Sequence, residues 1–351
     1  MRQQQSWWRI LILAFAFAGV SQVSSAEEVN RMDQIVQSYV KDKQFSGTVL
    51  VARGEKILLN KGYGLANMEW NMANTPQTKF RLGSLTKQFT AVAIMMLAER
   101  GKLKLDDKVS AYLPDVPAAW RDITVFQLLT HTAGIHNFTD LPEFMSVAML
   151  AKTPNEVLDL VRSLPLDFQP GEKHSYSNSG YVLLGILIEK VSGQSYESFL
   201  QQHIFTPLEM KDSGYDLTKE VIAHRAAGYS LKNGHFENAD YMDMGIPFSA
   251  GALYSTTVDL LRWERGLYGG KLLTAESLKK LTTPYKDDYA FGLIVKQYNG
   301  SREIFHNGGI NGFRTSMAYR PEDDLYIIVL GNTEANTPGI ISSRLAVVAP
   351  R

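Results

Sequence analysis

The stretch 80–101 constrains the fold most. Between positions 85 and 97 nearly every residue is apolar or a good helix former, which predicts a helix without a polar face. Such a helix must be enclosed by protein on almost all sides, so layers of structure have to surround it. With 351 residues, 45% of them hydrophobic, the chain can do this as one large domain or two intermixed ones. Gly101 supplies a stop.

Ser84 stands at the start of that helix and Lys87 follows one turn later. Residues three apart share a helix face, so the spacing brings a hydroxyl and an amine together. An unprotonated amine there can take the serine proton and leave a nucleophile, while the free N–H groups of the helix start favour developing negative charge. The pattern Ser-x-x-Lys is weak by itself. Ser38-x-x-Lys41 and Ser277-x-x-Lys280 match it too, and their ordinary polar neighbours read as solvated helix surface.

Two later segments add chemistry. Tyr176-Ser-Asn178 sits in a polar loop feeding an apolar helix; a phenol near Ser84 and Lys87 can carry protons, and the Asn178 amide can bind a substrate carbonyl. Taken alone, the tripeptide reads as a surface tyrosine and a helix-capping asparagine. His306-Asn-Gly308 ends an apparent strand and Gly309 follows. Glycines there let a substrate backbone lie along the strand edge, and the Gly309 N–H can pair with that of Ser84 as an oxyanion hole. Alone, this is a plain glycine turn.

Along the chain, a first amphipathic helix ends near position 43, and a hairpin by composition spans 47–52 and 56–60. Helical segments punctuated by Pro and Gly follow, among them 125–129, 155–164, 181–191 and 257–267. Strand patterns return at 289–297, 302–306, 313–320 and 325–332, and a last helix covers 338–348. The fold class expected is α/β of the α+β kind: an antiparallel sheet from both chain ends, flanked by helices, with an inserted mostly helical lobe. The sheet lobe is assigned 27–102 and 285–351, the helical lobe 103–284, and a cleft between them is where a site belongs.

Residues 1–26 carry Arg2 and Arg9, an apolar run over 10–20 and small residues ending at Ala26. They read as a secretory signal peptide, too short for a comfortable membrane span. Export to a bacterial periplasm or the extracellular space is expected, with no stable span after cleavage. The chain has no cysteine, which excludes disulfides and a thiol nucleophile. Lys plus Arg equals Asp plus Glu at 36 each, so no nucleic-acid partner is indicated. The seven histidines are scattered, His131 and His136 lack a His-Glu-x-x-His spacing, and no Gly-x-Ser-x-Gly occurs. No metal or cofactor is expected, and His131 reads as structural.

The order Ser84-x-x-Lys87, Tyr176-x-Asn178, His306-x-Gly308 resembles the serine beta-lactamase and penicillin-binding protein superfamily, closest to its class C branch. The blocks at 128–135, 170–181, 205–210 and 251–259 add to the likeness, which covers nearly all of the chain beyond the leader. It implies a beta-lactamase/transpeptidase-like fold, Ser84 as acyl-accepting nucleophile, Lys87 as its proton partner and Tyr176 as general acid/base. It further implies Asn178 as a substrate amide ligand and the His306 strand as the substrate's edge. The activities implied are those of a D-Ala-D-Ala carboxypeptidase, D-aminopeptidase, esterase or beta-lactamase, on a small peptide, ester or beta-lactam, peptidoglycan stem peptides among them. A penicillin-binding or sensing module without turnover is the non-enzymatic alternative. Two departures stand out: His306-Asn-Gly308 replaces the Lys-Thr-Gly usual in beta-lactamases, and Glu209 occupies a position more often Gly. A histidine with an ordinary pKa of about 6.5 is mostly neutral at pH 7. Arg314, a few residues on, is a candidate to supply the missing positive charge for a substrate carboxylate. This favours a peptidase or esterase over an efficient beta-lactamase.

Overall fold

The computed structural model describes residues 25–298 and 300–349. The signal-peptide reading of 1–26 thus falls almost wholly outside the described residues. Six strands form the main sheet: β1 (Gly47–Arg53), β2 (Lys56–Tyr63), β3 (Ile294–Tyr298), β4 (Ser301–Ile310), β5 (Phe313–Arg320) and β6 (Leu325–Gly331). Their order is β3-β4-β5-β6-β1-β2, and every neighbouring pair is antiparallel. The register from Gly47↔Gly331 to Arg53↔Leu325 joins the two chain ends in one sheet.

Every residue of β6 is buried, because both faces of the sheet centre are covered. On one face α1 (Ser25–Lys41) and the C-terminal helix (Pro338–Val348) bring Met32, Val36, Ile341 and Leu345 into one cluster with Val49, Val51, Ile327 and Val329. Leu50, Ile328 and Leu330, which alternate with these, face the larger core. Double burial explains why the central strands read as unbroken apolar runs instead of alternating ones.

The apolar helix is α2 (Thr86–Glu99), with residues 86–97 all buried. Around it lie α3 (Asn178–Ser192), α4 (Thr257–Tyr268) and the short helix Phe248–Gly251. Trp263 of α4 stacks on Phe89 at 3.9 Å between ring centroids. At that distance ring packing supplements simple area burial. α4 also packs on β6 and β1, so the stretch 103–284 returns to the sheet before its end. Within that stretch Thr124 and Thr153 each form a capping box with the residue three further on, which explains where Val125–Leu129 and Pro154–Arg162 begin. Short strands too brief to show alternation in the sequence complete it: Leu253–Ser255 pairs with both Phe80–Arg81 and Gly214–Tyr215.

Three readings change, the first being that the strand expected at 289–297 covers only Ile294–Tyr298. The first-hairpin and 313–320 strands stand, but the strand expected at 302–306 continues to Ile310, because Gly308 and Gly309 lie within it and not in a turn. Ser277 is buried, not solvated; Lys280 pairs with Glu276 at 2.8 Å, so this Ser-x-x-Lys holds no hydroxyl–amine pair. Ser38 and Lys41 are exposed, as expected. Glu209 holds a left-handed φ of 55°, a conformation that glycine adopts at less cost.

Candidate active site

Ser84 lies in the single turn Gly83–Leu85 that leads into α2, and its position depends on two glycines. Gly83 has φ +55°, and a Cβ on it would lie 2.8 Å from the Gly309 nitrogen. A Cβ on Gly308 would come within 2.0 Å of the Leu82 carbonyl oxygen, to which Thr315 Oγ1 donates a 2.8 Å hydrogen bond. Only glycine lets the turn bearing Ser84 press onto β4 this closely.

The register of β4 aims Gly309 at that turn. Ile310 pairs with Phe313 across the two-residue connection Asn311-Gly312. The residues flanking such a connection exchange both backbone bonds, so Gly309, opposite Arg314, is a non-bonded pair whose N–H and C=O point away from β5. β3 pairs with β4 only as far as Phe305, which leaves the outer edge of 306–310 without a strand neighbour. The Gly309 N–H therefore points to the open edge beside the Ser84 turn, where a free N–H of the helix start can join it as an oxyanion hole.

Lys87 is fully buried. Its Nζ lies 2.8 Å from Asn178 Oδ1, 2.8 Å from the Ala250 carbonyl oxygen and 3.2 Å from Ser84 Oγ. The first two neighbours only accept hydrogen bonds. A neutral amine donates its two protons to them and turns its lone pair to the third, the Ser84 hydroxyl. Burial holds the Lys87 pKa well below its ordinary value, favouring that neutral form.

The loop before α3 brings the next group. The Tyr176 phenol lies within hydrogen-bonding reach of Ser84, and burial raises its pKa, so it remains a protonated donor at neutral pH. Its ring lies 4.8 Å from Lys87 Nζ. Asn178 opens α3 after Ser177, whose hydroxyl caps the helix by accepting from Gly180 N–H. Asn178 Nδ2 donates to Asn137 Oδ1 at 3.2 Å and Thr139 Oγ1 at 3.3 Å, and Asn137 Oδ1 also accepts from the Asn178 backbone N–H at 3.0 Å. Asn137 was missed in the sequence; no motif marks it, and only its place 41 residues from Asn178 in the chain but beside it in space gives it a role.

His306 does not face the cleft as a cation. It is buried, with its pKa lowered to about 4, chiefly by burial and then by Lys87. Its Nε2 lies 3.3 Å from the Tyr289 hydroxyl, which also meets His131 Nε2 at 3.1 Å. Tyr289 carried no signal in the sequence. His131, read there as structural, packs its ring against that of Tyr176 in a tilted arrangement, 4.3 Å between centroids.

Ser84 opens onto a cleft of about 320 Å³ walled by Phe138, Phe144, Met242, Ile246 and Ile310, with Asn178, Gly309, Arg314 and Glu334 among its polar lining. Arg314 Nη1 donates to the Ile310 and Phe313 carbonyls at 3.3 and 3.0 Å, anchoring the guanidinium beside Gly309. All seven residues singled out in the sequence thus meet at or directly behind this cleft. Among the described residues no group of His, Asp or Glu has the arrangement to hold a metal ion. No described helix is long and apolar enough to cross a membrane.

Residues 32–348 match the beta-lactamase family model. The chain belongs to the beta-lactamase family. A penicillin-binding protein of Bacillus subtilis is 32% identical over 324 residues, covering 84% of this chain and 69% of that relative. Among solved structures, a penicillin binding protein from Bacillus halodurans superposes with a TM-score of 0.81 at 28% identity, covering 91% of this chain and 98% of that one. A D-stereospecific amidohydrolase from a Streptomyces species does so at 0.79 with 25% identity, covering 90% and 97%. In this beta-lactamase-family chain the antiparallel sheet and its flanking helices are the same mixed architecture that those neighbours share.

Proposed function

We propose that the protein is a serine hydrolase that works through an acyl-enzyme on Ser84 and cleaves amide bonds in D-amino-acid peptides, in the manner of a D-Ala-D-Ala carboxypeptidase. The observation that carries this is the Lys87 amine, buried between two pure acceptors with Ser84 as its third neighbour. In that reading Ser84 Oγ passes its proton to Lys87 and attacks the substrate carbonyl carbon. The oxyanion forms between the N–H groups of Ser84 and Gly309. Tyr176 gives its proton to the leaving amine nitrogen, the C–N bond breaks, and Lys87 returns a proton to the phenol. Water then attacks the ester carbon, losing a proton to the same pair; as the bond to Ser84 Oγ breaks the pair passes that proton to Oγ, and the carboxylic acid leaves.

Asn178 binds the acyl-side amide, displacing its long contact to Thr139, and the free edge at Gly309 aligns the peptide. Arg314 supplies the fixed positive charge for a terminal carboxylate, a role the neutral His306 does not fill. The Streptomyces neighbour, by name a D-stereospecific amidohydrolase, supports an amide substrate. The leader pattern at 1–26 supports action outside the cytoplasm, on peptidoglycan stem peptides.

Rates on a D-Ala-D-Ala-ended peptide, its C-terminal amide, a p-nitrophenyl ester and a chromogenic cephalosporin test the assignment. The acid-ended peptide should give the highest kcat/KM, and Arg314→Gln should lower it by about tenfold or more, the loss of one charge-assisted contact, while sparing the ester. Turnover of the ester with none of the peptide overturns the peptidase reading.

A further inference from the structure

Behind Tyr176 the side chains of His131, Tyr289 and His306 form a hydrogen-bond chain whose direction is fixed by its two ends. At one end the Ser177 backbone N–H lies 3.1 Å from His131 Nδ1. A backbone N–H only donates, so Nδ1 is bare and the neutral ring carries its proton on Nε2. That Nε2–H points to the Tyr289 oxygen at 3.1 Å. At the other end His306 Nδ1 lies 2.6 Å from the Asn307 carbonyl oxygen, which only accepts. His306 therefore holds its proton on Nδ1 and offers a bare Nε2 to Tyr289, 3.3 Å away. Tyr289 accepts from one imidazole and donates to the other. With both rings neutral every donor meets an acceptor, and no other placement of protons achieves that along these four contacts.

We propose that Tyr289 is a positioning residue of the acyl-transfer site, whose phenol locks His131 and His306 into complementary single tautomers behind Tyr176 and thereby sets the register of the substrate on the β4 edge. The inference rests on the acyl-transfer reading of Ser84. The register follows from alternation. Asn307, like Gly309, is a non-bonded position of the β4–β5 ladder, so its carbonyl faces the open edge. His306 Nδ1–H occupies that carbonyl. The substrate backbone then finds its free acceptor and donor at Gly309, next to Ser84, and not two residues away. A ring released by loss of Tyr289 can turn, freeing the Asn307 carbonyl as a competing site.

The lock also keeps charge away from Tyr176. The groups facing His306 and Tyr289 are Lys87 from α2, His131, His174 and Tyr176 from the loops before α3, and Tyr181 from α3; His174 in turn meets Asp287 at 3.5 Å. A proton on His306 Nε2 would set two N–H groups against the Tyr289 oxygen, and the Tyr289 hydroxyl would turn from His306 to the Tyr181 oxygen, which can accept because its own O–H is donated to the Leu129 carbonyl. Burial, the nearby Lys87 and the Tyr289 O–H given to the bare Nε2 oppose a second cation at His306, and Tyr176 stays the proton carrier that faces Ser84.

The test begins with the unaltered full chain. Nitrogen-15 NMR of the imidazoles at pH 7 should show two neutral rings in opposite tautomers, His131 protonated on Nε2 and His306 on Nδ1. A cationic His306, or the same tautomer on both, overturns the proposal without any variant and leaves the Ser84 reading untouched. Tyr289→Phe then tests the function. Its donor stabilised the neutral ring, so the acid limb of kcat/KM should move up by about half to one pH unit, the worth of one hydrogen bond. KM for the peptide should rise several-fold while kcat for a p-nitrophenyl ester, which has no strand to align, changes little. Equal loss on both substrates with an unmoved acid limb would reduce Tyr289 to packing and sink the claim.

Discussion

Replacing Lys87 by Met should abolish activity and yet stabilise the protein at neutral pH. The amine is fully buried, and among the described residues no carboxylate pairs with it. An amine of ordinary pKa 10.5 that folds neutral at pH 7 forgoes protonation worth about 5 kcal/mol, since each unit is worth about 1.4 kcal/mol. Methionine has nearly the same length and no charge to desolvate. It leaves Asn178 Oδ1 and the Ala250 carbonyl without their donor, at a cost of about 1–2 kcal/mol each. The balance favours the variant by about 1–3 kcal/mol at pH 7. The sign with pH follows from proton counting. Above the lowered folded pKa the folded wild type lacks a proton that the unfolded chain keeps until about pH 10.5, so wild-type stability gains on the variant by about 1.4 kcal/mol per unit as pH rises through that window. Urea unfolding of both proteins from pH 6 to 10 measures the difference. A variant less stable than wild type at pH 7, or a difference that does not shrink as pH rises, would show that Lys87 folds as a charged ammonium and that the proton-acceptor argument is wrong.

The glycines make a paired prediction. Gly308→Ala drives a methyl to 2.0 Å from the Leu82 carbonyl oxygen and should cost about 1–3 kcal/mol in thermal unfolding along with most of the acylation rate, whereas a Cβ at Gly309 meets nothing nearer than Arg314 Nη1 at 3.4 Å and should leave stability nearly unchanged. Equal stability losses in the two would refute the clasp between β4 and the Ser84 turn. Asn137→Ala removes the acceptor that holds both the backbone and the side chain of Asn178. Steady-state kinetics should show kcat/KM for the peptide falling about tenfold, from roughly 1–2 kcal/mol of lost positioning; an unchanged value would mean Asn178 needs no such support.

The parts of the molecule that show in the sequence are those where one local rule decides. The run 85–97 declares an enclosed helix because it has no polar face to expose, and the helix over 338–348 has the bounds read from its pattern. The site chemistry shows where side chains are rare and ordered along the chain: Ser84 with Lys87, Tyr176 with Asn178, and His306 with its glycines. Other features depend on contacts between distant segments. Gly308 looks like a turn until Leu82 is seen against it. Tyr289 and Asn137 owe their roles to neighbours many positions away, and no spacing rule joins them. Ser277 misleads for the same reason, since its burial comes from packing near α2 and not from its own helix pattern. The direction of the histidine chain is likewise set by two backbone groups, at Ser177 and Asn307, that the sequence cannot place.

The most direct measurement treats the intact protein with a fluorescent penicillin or phosphonate probe and maps the adduct by mass spectrometry. The added mass should fall on the tryptic peptide 82–87 that carries Ser84, and Ser84→Ala should take up none. A probe that labels the alanine variant equally well, or that settles on another residue of the unaltered chain, would contradict the assignment of Ser84 as the nucleophile.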